Sequence, residues 1–240
     1  MIEMVRRFLR QKFSNLGVVI ALSAMALLAA SQLAASGGQA GFEVGSLAVI
    51  VIAAACVSKD ASGGGLQMIL CRPIRRSDYL LGRFCGILAA YGLFLLGAVG
   101  LALLFSRALG PMLGAQAPPL AFGALARQIA AALLGAIGMA APILLLSTFL
   151  PGYGDVLGFI LLTPLLAIPE LLAQILKAPG LQKVGDALRK NLLPSVDWSA
   201  ALAGRNPLGE ATGRWVLAVV VYLVLALWSF SRREFAYGQD

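Results

Sequence analysis

The side chains able to do chemistry gather in one stretch of the 240 residues, positions 58–86, reading SKDASGGGLQMILCRPIRRSDYLLGRFCG. Asp60 supplies a carboxylate there, and Arg72, Arg75, Arg76 and Arg83 supply cations. Gly63, Gly64 and Gly65 break any preceding helix, and Leu66, Ile69 and Leu70 then form one apolar helical turn. Cys71-Arg72-Pro73 stops that turn, because proline restricts the residue before it. Ser77 is expected to cap the next helix, with Asp78 in its first turn facing the positive end of the dipole. A short, glycine-hinged helix with apolar anchors and a rim of arginines suits docking to a partner. The same arginines would also serve a simple positive-inside anchor.

Bond-making chemistry finds little to work with. The chain contains no His, which removes His-based triads, imidazole metal sites and His haem ligands. Cys56, Cys71 and Cys85 form no CxxC pair, and they read as unpaired thiols. No GxxxxGK[ST] phosphate loop and no GxSxG elbow occurs, so the chain is expected to hydrolyse no ATP alone and to hold no cofactor or metal.

The elements that must position this stretch are membrane spans. The apolar fraction is 60%, the charged fraction 12% and the mean hydropathy +0.87. Soluble domains average about 45–50% and about 25% for the first two. Apolar runs of about 20 residues are needed to cross the hydrocarbon core, and they occur near 16–35, 42–57, 79–105, 120–150, 156–176 and 215–230. The expected fold is all-α, a single polytopic domain of about six transmembrane helices. The second and sixth runs are short. The fourth would reach roughly 45 Å if straight, so it either starts outside the membrane or bends near Pro142. Pro164 and Pro169 predict a kink or break in the fifth.

Residues 1–14 predict an amphipathic helix lying in the interface. Met1, Ile2, Met4, Val5, Phe8, Leu9 and Phe13 share one broad face, Arg6, Arg7, Arg10 and Gln11 share the other, and Lys12 intrudes on the apolar side. A basic start before an apolar run also fits a cleaved signal peptide, but the run 16–35 is too long for a usual signal core. The net charge of +8 sits at the ends of apolar runs, which suits anionic lipid better than nucleic acid.

Orientation follows from the Lys and Arg residues. Arg6, Arg7, Arg10, Lys12, Lys59, Arg72, Arg75, Arg76, Arg83, Arg232 and Arg233 all fall inside if both termini are cytoplasmic. The external loop 177–214 runs against the rule with Lys177, Lys183, Arg189, Lys190, Arg205 and Arg214, although long loops obey it weakly. Leu181, Val184, Leu188, Leu192 and Leu193 recur there at helical spacing up to Pro194, predicting a helix packed on the external face. That helix is either a solvated connector or part of a substrate path.

The run Gly65–Leu70, then Arg72-Pro73-Ile74, Arg76 and Tyr79-Leu80-Leu81-Gly82-Arg83, resembles the signature loop of type-2 ABC-transporter permeases. Asp60 stands where that family usually carries Glu, and Gly65-Leu66 where it usually carries Gly-Thr-Leu. The resemblance extends in layout to the N-terminal helix, the Pro151-Gly152-Tyr153-Gly154-Asp155 turn and Leu193-Pro194. It implies a transmembrane subunit that pairs with a second permease copy, as a homo- or heterodimer, in a bacterial inner or plasma membrane. Two cytoplasmic ATPase subunits, which bind the ATP and Mg, would dock on the loop 58–78. Asp60, Gly65, Leu66, Ile69, Leu70, Arg72, Pro73, Arg75 and Arg76 would then form the coupling helix that transmits the closure of the ATPases.

Other features carry less. Gly82-x-x-x-Gly86 and Gly154-x-x-x-Gly158 fit close helix contacts, within or between copies, in a chain with 27 glycines. Glu170 is either an intramembrane ionisable group or a residue at the outer interface. A stand-alone channel or secondary carrier is the alternative function, although no inverted repeat of broken helices is visible. The apolar spans suit export of lipids, hydrophobic drugs or peptides more than passage of ions.

Overall fold

The structure is a computed structural model that describes residues 2–36, 45–57, 60, 75–108, 121–150, 152–176, 179–205 and 209–232. Helix accounts for 89% of it with no strand among the described residues, so the all-α class holds. In chain order the helices are α1 (Ile2–Phe13), α2 (Leu16–Ala35), α3 (Gly45–Ala53), α4 (Arg76–Ala108), α5 (Phe122–Phe149), α6 (Gly154–Leu176), α7 (Pro179–Leu192), α8 (Trp198–Leu202) and α9 (Glu210–Arg232). Of these α2, α4, α5, α6 and α9 are long and apolar enough to cross a membrane. Leu157, Leu161, Leu165 and Ile175 on α6 and Leu217 and Val224 on α9 are more than half exposed. Outward faces of that kind belong in lipid.

The expected second span is corrected at its end. Its helical part is α3, nine residues and about 14 Å long, and residues 54–57 leave the helix as turns. Ala55 adopts φ +52°, a left-handed conformation that costs a residue with a Cβ about 1–2 kcal/mol. Residues 42–44 of that span lie outside the described residues. α4 begins before the expected cap. The N–H groups of Asp78 and Tyr79 donate to the Arg75 carbonyl at 3.0 and 3.2 Å, so Ser77 lies inside the first turn and does not cap it. α6 runs unbroken through Pro164 and Pro169. α9 is not short. Glu210 in its first turn and Arg232 in its last complement the dipole, and an Arg214–Glu210 pair one turn apart extends the helix beyond its apolar centre.

The chain divides into two compact units. The first comprises Met1–Ala53, Leu81–Ala140 and Asp197–Asn206. Asn15 separates α1 from α2, its side chain accepting the Gly17 N–H at 3.1 Å as an N-cap. Met4 and Phe8 of α1 are buried while Arg6, Arg7 and Arg10 are exposed, as the amphipathic pattern predicts. Phe8 packs directly on Gly86, where a Cβ would lie 2.8 Å from the ring. Arg83 lies over the same ring at 5.4 Å, and its Nη1 donates to Gln11 Oε1 at 2.9 Å. The small face at Gly86 is thus filled from within the chain. Gly86→Val should push Phe8 out and release α1, at a cost of about 1–3 kcal/mol. Faster tryptic cleavage at Arg6, Arg7 and Arg10 would register the release, and an unchanged cleavage rate would show that α1 is held elsewhere.

Asp197 caps α8 in this unit. The Ser199 hydroxyl first, then the Ala200 N–H, hold its carboxyl below the ordinary range. That contribution is present above the ordinary carboxylate pKa and is lost as pH falls through the lowered one.

The second unit comprises Ala54–Leu80, Ala141–Val196 and Pro207–Asp240. Gly154 and Gly158 lie against Leu150, the latter with a would-be Cβ 2.8 Å from its Cδ1, so this small face is also filled internally. α7 folds back on α6 with Gly185 as the contact, because a Cβ there would meet Glu170 Cγ at 2.8 Å. The expected helix is present; Leu181 and Leu193 are half-buried while Val184, Leu188 and Leu192 are exposed, and the helix presents its glycine where approach is closest. The Tyr222 hydroxyl donates to the Leu192 carbonyl and so satisfies an orphan group at the end of α7.

Candidate functional site

The second unit gathers four chain ends: the turn after α3, the start of α4, the α5–α6 corner and the end of α9. Each is held by a side chain that the apolar runs leave over. Asp155, in the first turn of α6, is fully buried. Its Oδ2 accepts the Ala55 N–H at 2.8 Å and its Oδ1 accepts the Val156 N–H at 2.8 Å. Two backbone donors and the positive end of α6 compensate a carboxylate whose burial would otherwise be costly. Ser147 Oγ, also fully buried, accepts the Val57 N–H at 3.0 Å. These two bonds draw residues 54–57 out of helical geometry and explain the left-handed Ala55.

The predicted coupling segment begins after that turn. Asp60 is 9% exposed, and it accepts a hydrogen bond from the buried Tyr79 hydroxyl at 2.8 Å. Bonds of this charge-assisted kind contribute about 1.5–3 kcal/mol. The Tyr79 ring stacks on Phe230 of α9, with centroids 5.6 Å apart and planes at 15°. Arg76 Nη1 donates to the Ser231 carbonyl at 2.7 Å, placing a cation on the negative end of α9. Arg232 lies 4.5 Å above the Trp228 ring in the same last turn. Arg75 is exposed, and its carbonyl opens α4. Gly65, Leu66, Ile69, Leu70, Arg72 and Pro73 lie outside the described residues.

Both flanks of the 58–76 segment are therefore fastened. Asp60 on the leading flank is tied to α4 through Tyr79, and Arg76 on the trailing flank is tied to the end of α9.

The remaining predicted residues fall elsewhere. Glu170 is one-quarter exposed and pairs with Arg189 of α7 at 3.8 Å. It faces the amphipathic helix that follows α6, which favours the interface reading over an isolated intramembrane charge. Arg6, Arg7 and Arg10 belong to the first unit. Tyr79, Ser147, Asp155 and Phe230 were not among the predicted site residues. Tyr79 opens an apolar run and reads as a span boundary, yet a buried tyrosine usually needs a partner for its hydroxyl. Asp155 carried a signal, a lone acid between two long apolar runs.

In comparisons with known proteins, the chain matches no family model and no curated sequence.

Proposed function

We propose that this chain is the membrane-spanning permease subunit of an ATP-binding-cassette transporter. It moves substrate, by preference outward, with ATP hydrolysed by a separate cytoplasmic ATPase subunit that also holds the Mg. A second permease copy completes the complex. Five long apolar helices make a multi-pass membrane protein the natural setting. The observation that carries the reading is the double fastening of the 58–76 segment, Asp60 to Tyr79 and Arg76 to Ser231. Nucleotide acts on transport only through contacts that differ between two conformations. A docking segment whose flanking residues are pinned to α4 and α9 would convert such a difference into helix movement. The start of α4, with Arg75, Arg76 and Arg83, and the end of α9, with Arg232, carry the basic residues that the positive-inside rule assigns to the cytoplasm, and the proposed arrangement puts both termini on that side.

Tyr79→Phe tests the reading. It removes the bond to Asp60 and keeps the stack on Phe230. The variant should still hold its ATPase, and nucleotide should still turn over. ATP-dependent change in hydrogen exchange across the last turn of α9 should fall at least several-fold. Exchange that responds to ATP as in the wild type would separate the docking segment from the lever assigned to it.

A further inference from the structure

The first unit holds a feature that the transport reading does not use. At 100° per residue, Phe13 closes the far edge of the broad apolar face, within about 60° of Arg6 and Arg10 and on the side of α1 away from the buried Met4 and Phe8. Phe13, 41% exposed, lines a groove of roughly 410 Å³ together with α2 and α4. Val19, Leu22, Ala26, Leu93, Gly97 and Leu101 wall it, with Ser23 adding a hydroxyl to an otherwise apolar lining. Residues 19–27 of α2 and 93–101 of α4 each advance about 12 Å. That is most of one leaflet's share of a core about 30 Å thick. A Cβ on Gly97 would meet nothing within 4 Å, so the groove is open at that wall.

We propose that α1 and this groove form a site for one anionic phospholipid of the bilayer, its phosphate on Arg6 and Arg10 and one acyl chain along α2 and α4. Charge and shape both ask for such a molecule. Among the described residues neither guanidinium has an acidic partner, and both are exposed. Phe13, at the end of the helix that carries both cations, is the residue of α1 that lines the groove. Phe8 is buried against Gly86, and Arg83 bridges from over its ring to Gln11, which fixes the opposite face of α1. A free anionic lipid binding a loose helix would have to order it first; here the headgroup site is already ordered relative to the acyl site. The site stands whether or not an ATPase docks on the second unit.

Native mass spectrometry of the full chain, exchanged into mixed phosphatidylglycerol and phosphatidylcholine, tests this. Each basic side chain beside an anionic lipid contributes about a fivefold preference. The wild type should retain one phosphatidylglycerol per chain, preferred about 25-fold over phosphatidylcholine. Arg6→Gln with Arg10→Gln, both on the surface, should bring that preference close to parity. Gly97→Leu, which extends into open space, should lose the retained lipid of either kind with normal membrane yield. Parity in the wild type, or full retention in both variants, would overturn the site. Loss in Gly97→Leu with unchanged preference in the arginine variant would leave an acyl groove without headgroup choice and overturn the anionic assignment. A change in the number of chains per complex in Gly97→Leu, with lipid count unchanged, would assign the groove to a second copy and overturn it as well.

Discussion

Replacing Ile69 and Leu70 by Asp is expected to strip the chain of its ATPase while leaving its spans inserted. Insertion depends on the apolar runs and on the flanking basic residues, and the double variant alters neither. On the proposed reading, docking depends on the apolar side chains of Leu66, Ile69 and Leu70 entering a groove on the partner. A carboxylate carried into that groove without a counter-charge costs several kcal/mol, and every 1.4 kcal/mol is a tenfold loss of affinity. Affinity should therefore drop by about a thousandfold or more, beyond what a pull-down retains. Arg72→Gln with Arg75→Gln should act differently. Charges at the rim govern association rate and salt dependence more than they govern affinity. Full partner recovery with the Ile69 and Leu70 variant at normal membrane yield would reduce the segment to a charged anchor.

The second large effect is expected at Asp155. Asp155→Ala leaves the buried Ala55 N–H and the Val156 N–H without their acceptor. An unsatisfied buried donor costs about 1–3 kcal/mol, and Ala55 is already held at positive φ. A loss of about 3 kcal/mol in stability is expected. Asp155→Asn keeps one oxygen acceptor and should cost about 1 kcal/mol. Ala55→Gly should act in the opposite sense, since glycine adopts positive φ without a Cβ penalty, and raise stability by up to about 1 kcal/mol. Unfolding in mixed micelles of rising SDS fraction would read all three. If Asp155→Ala falls within about 0.5 kcal/mol of the wild type, the corner is not held by this carboxylate.

The pattern of these bonds marks where the sequence was readable. α2, α4, α5 and α6 lie within a few residues of their expected places because each is a long apolar run, and membrane helices satisfy their own backbone. The N-terminal helix was legible from its two faces, and α7 from the spacing of Leu181, Val184 and Leu188. Which face of α7 makes contact was not legible. The closest approach selects Gly185, a residue that hydropathy ignores. The end of the second span was misplaced for a related reason. Residues 54–57 are as apolar as the helix before them, and only two side chains from far along the chain, Ser147 and Asp155, pull them out of it. The site followed the same rule. Asp60 entered through the family resemblance and Arg76 through the arginine cluster, but the contacts they make are with Tyr79 and with the end of α9, and no local pattern announces those partners.

The most direct test of the central claim places a photo-cross-linking residue at Leu70 in the full-length chain and irradiates native membranes. The account predicts one dominant adduct, whose partner carries a GxxxxGK[ST] phosphate loop and disappears when Ile69 is replaced by Asp. Cross-links to lipid alone, or to a partner without a nucleotide-binding loop, would contradict it.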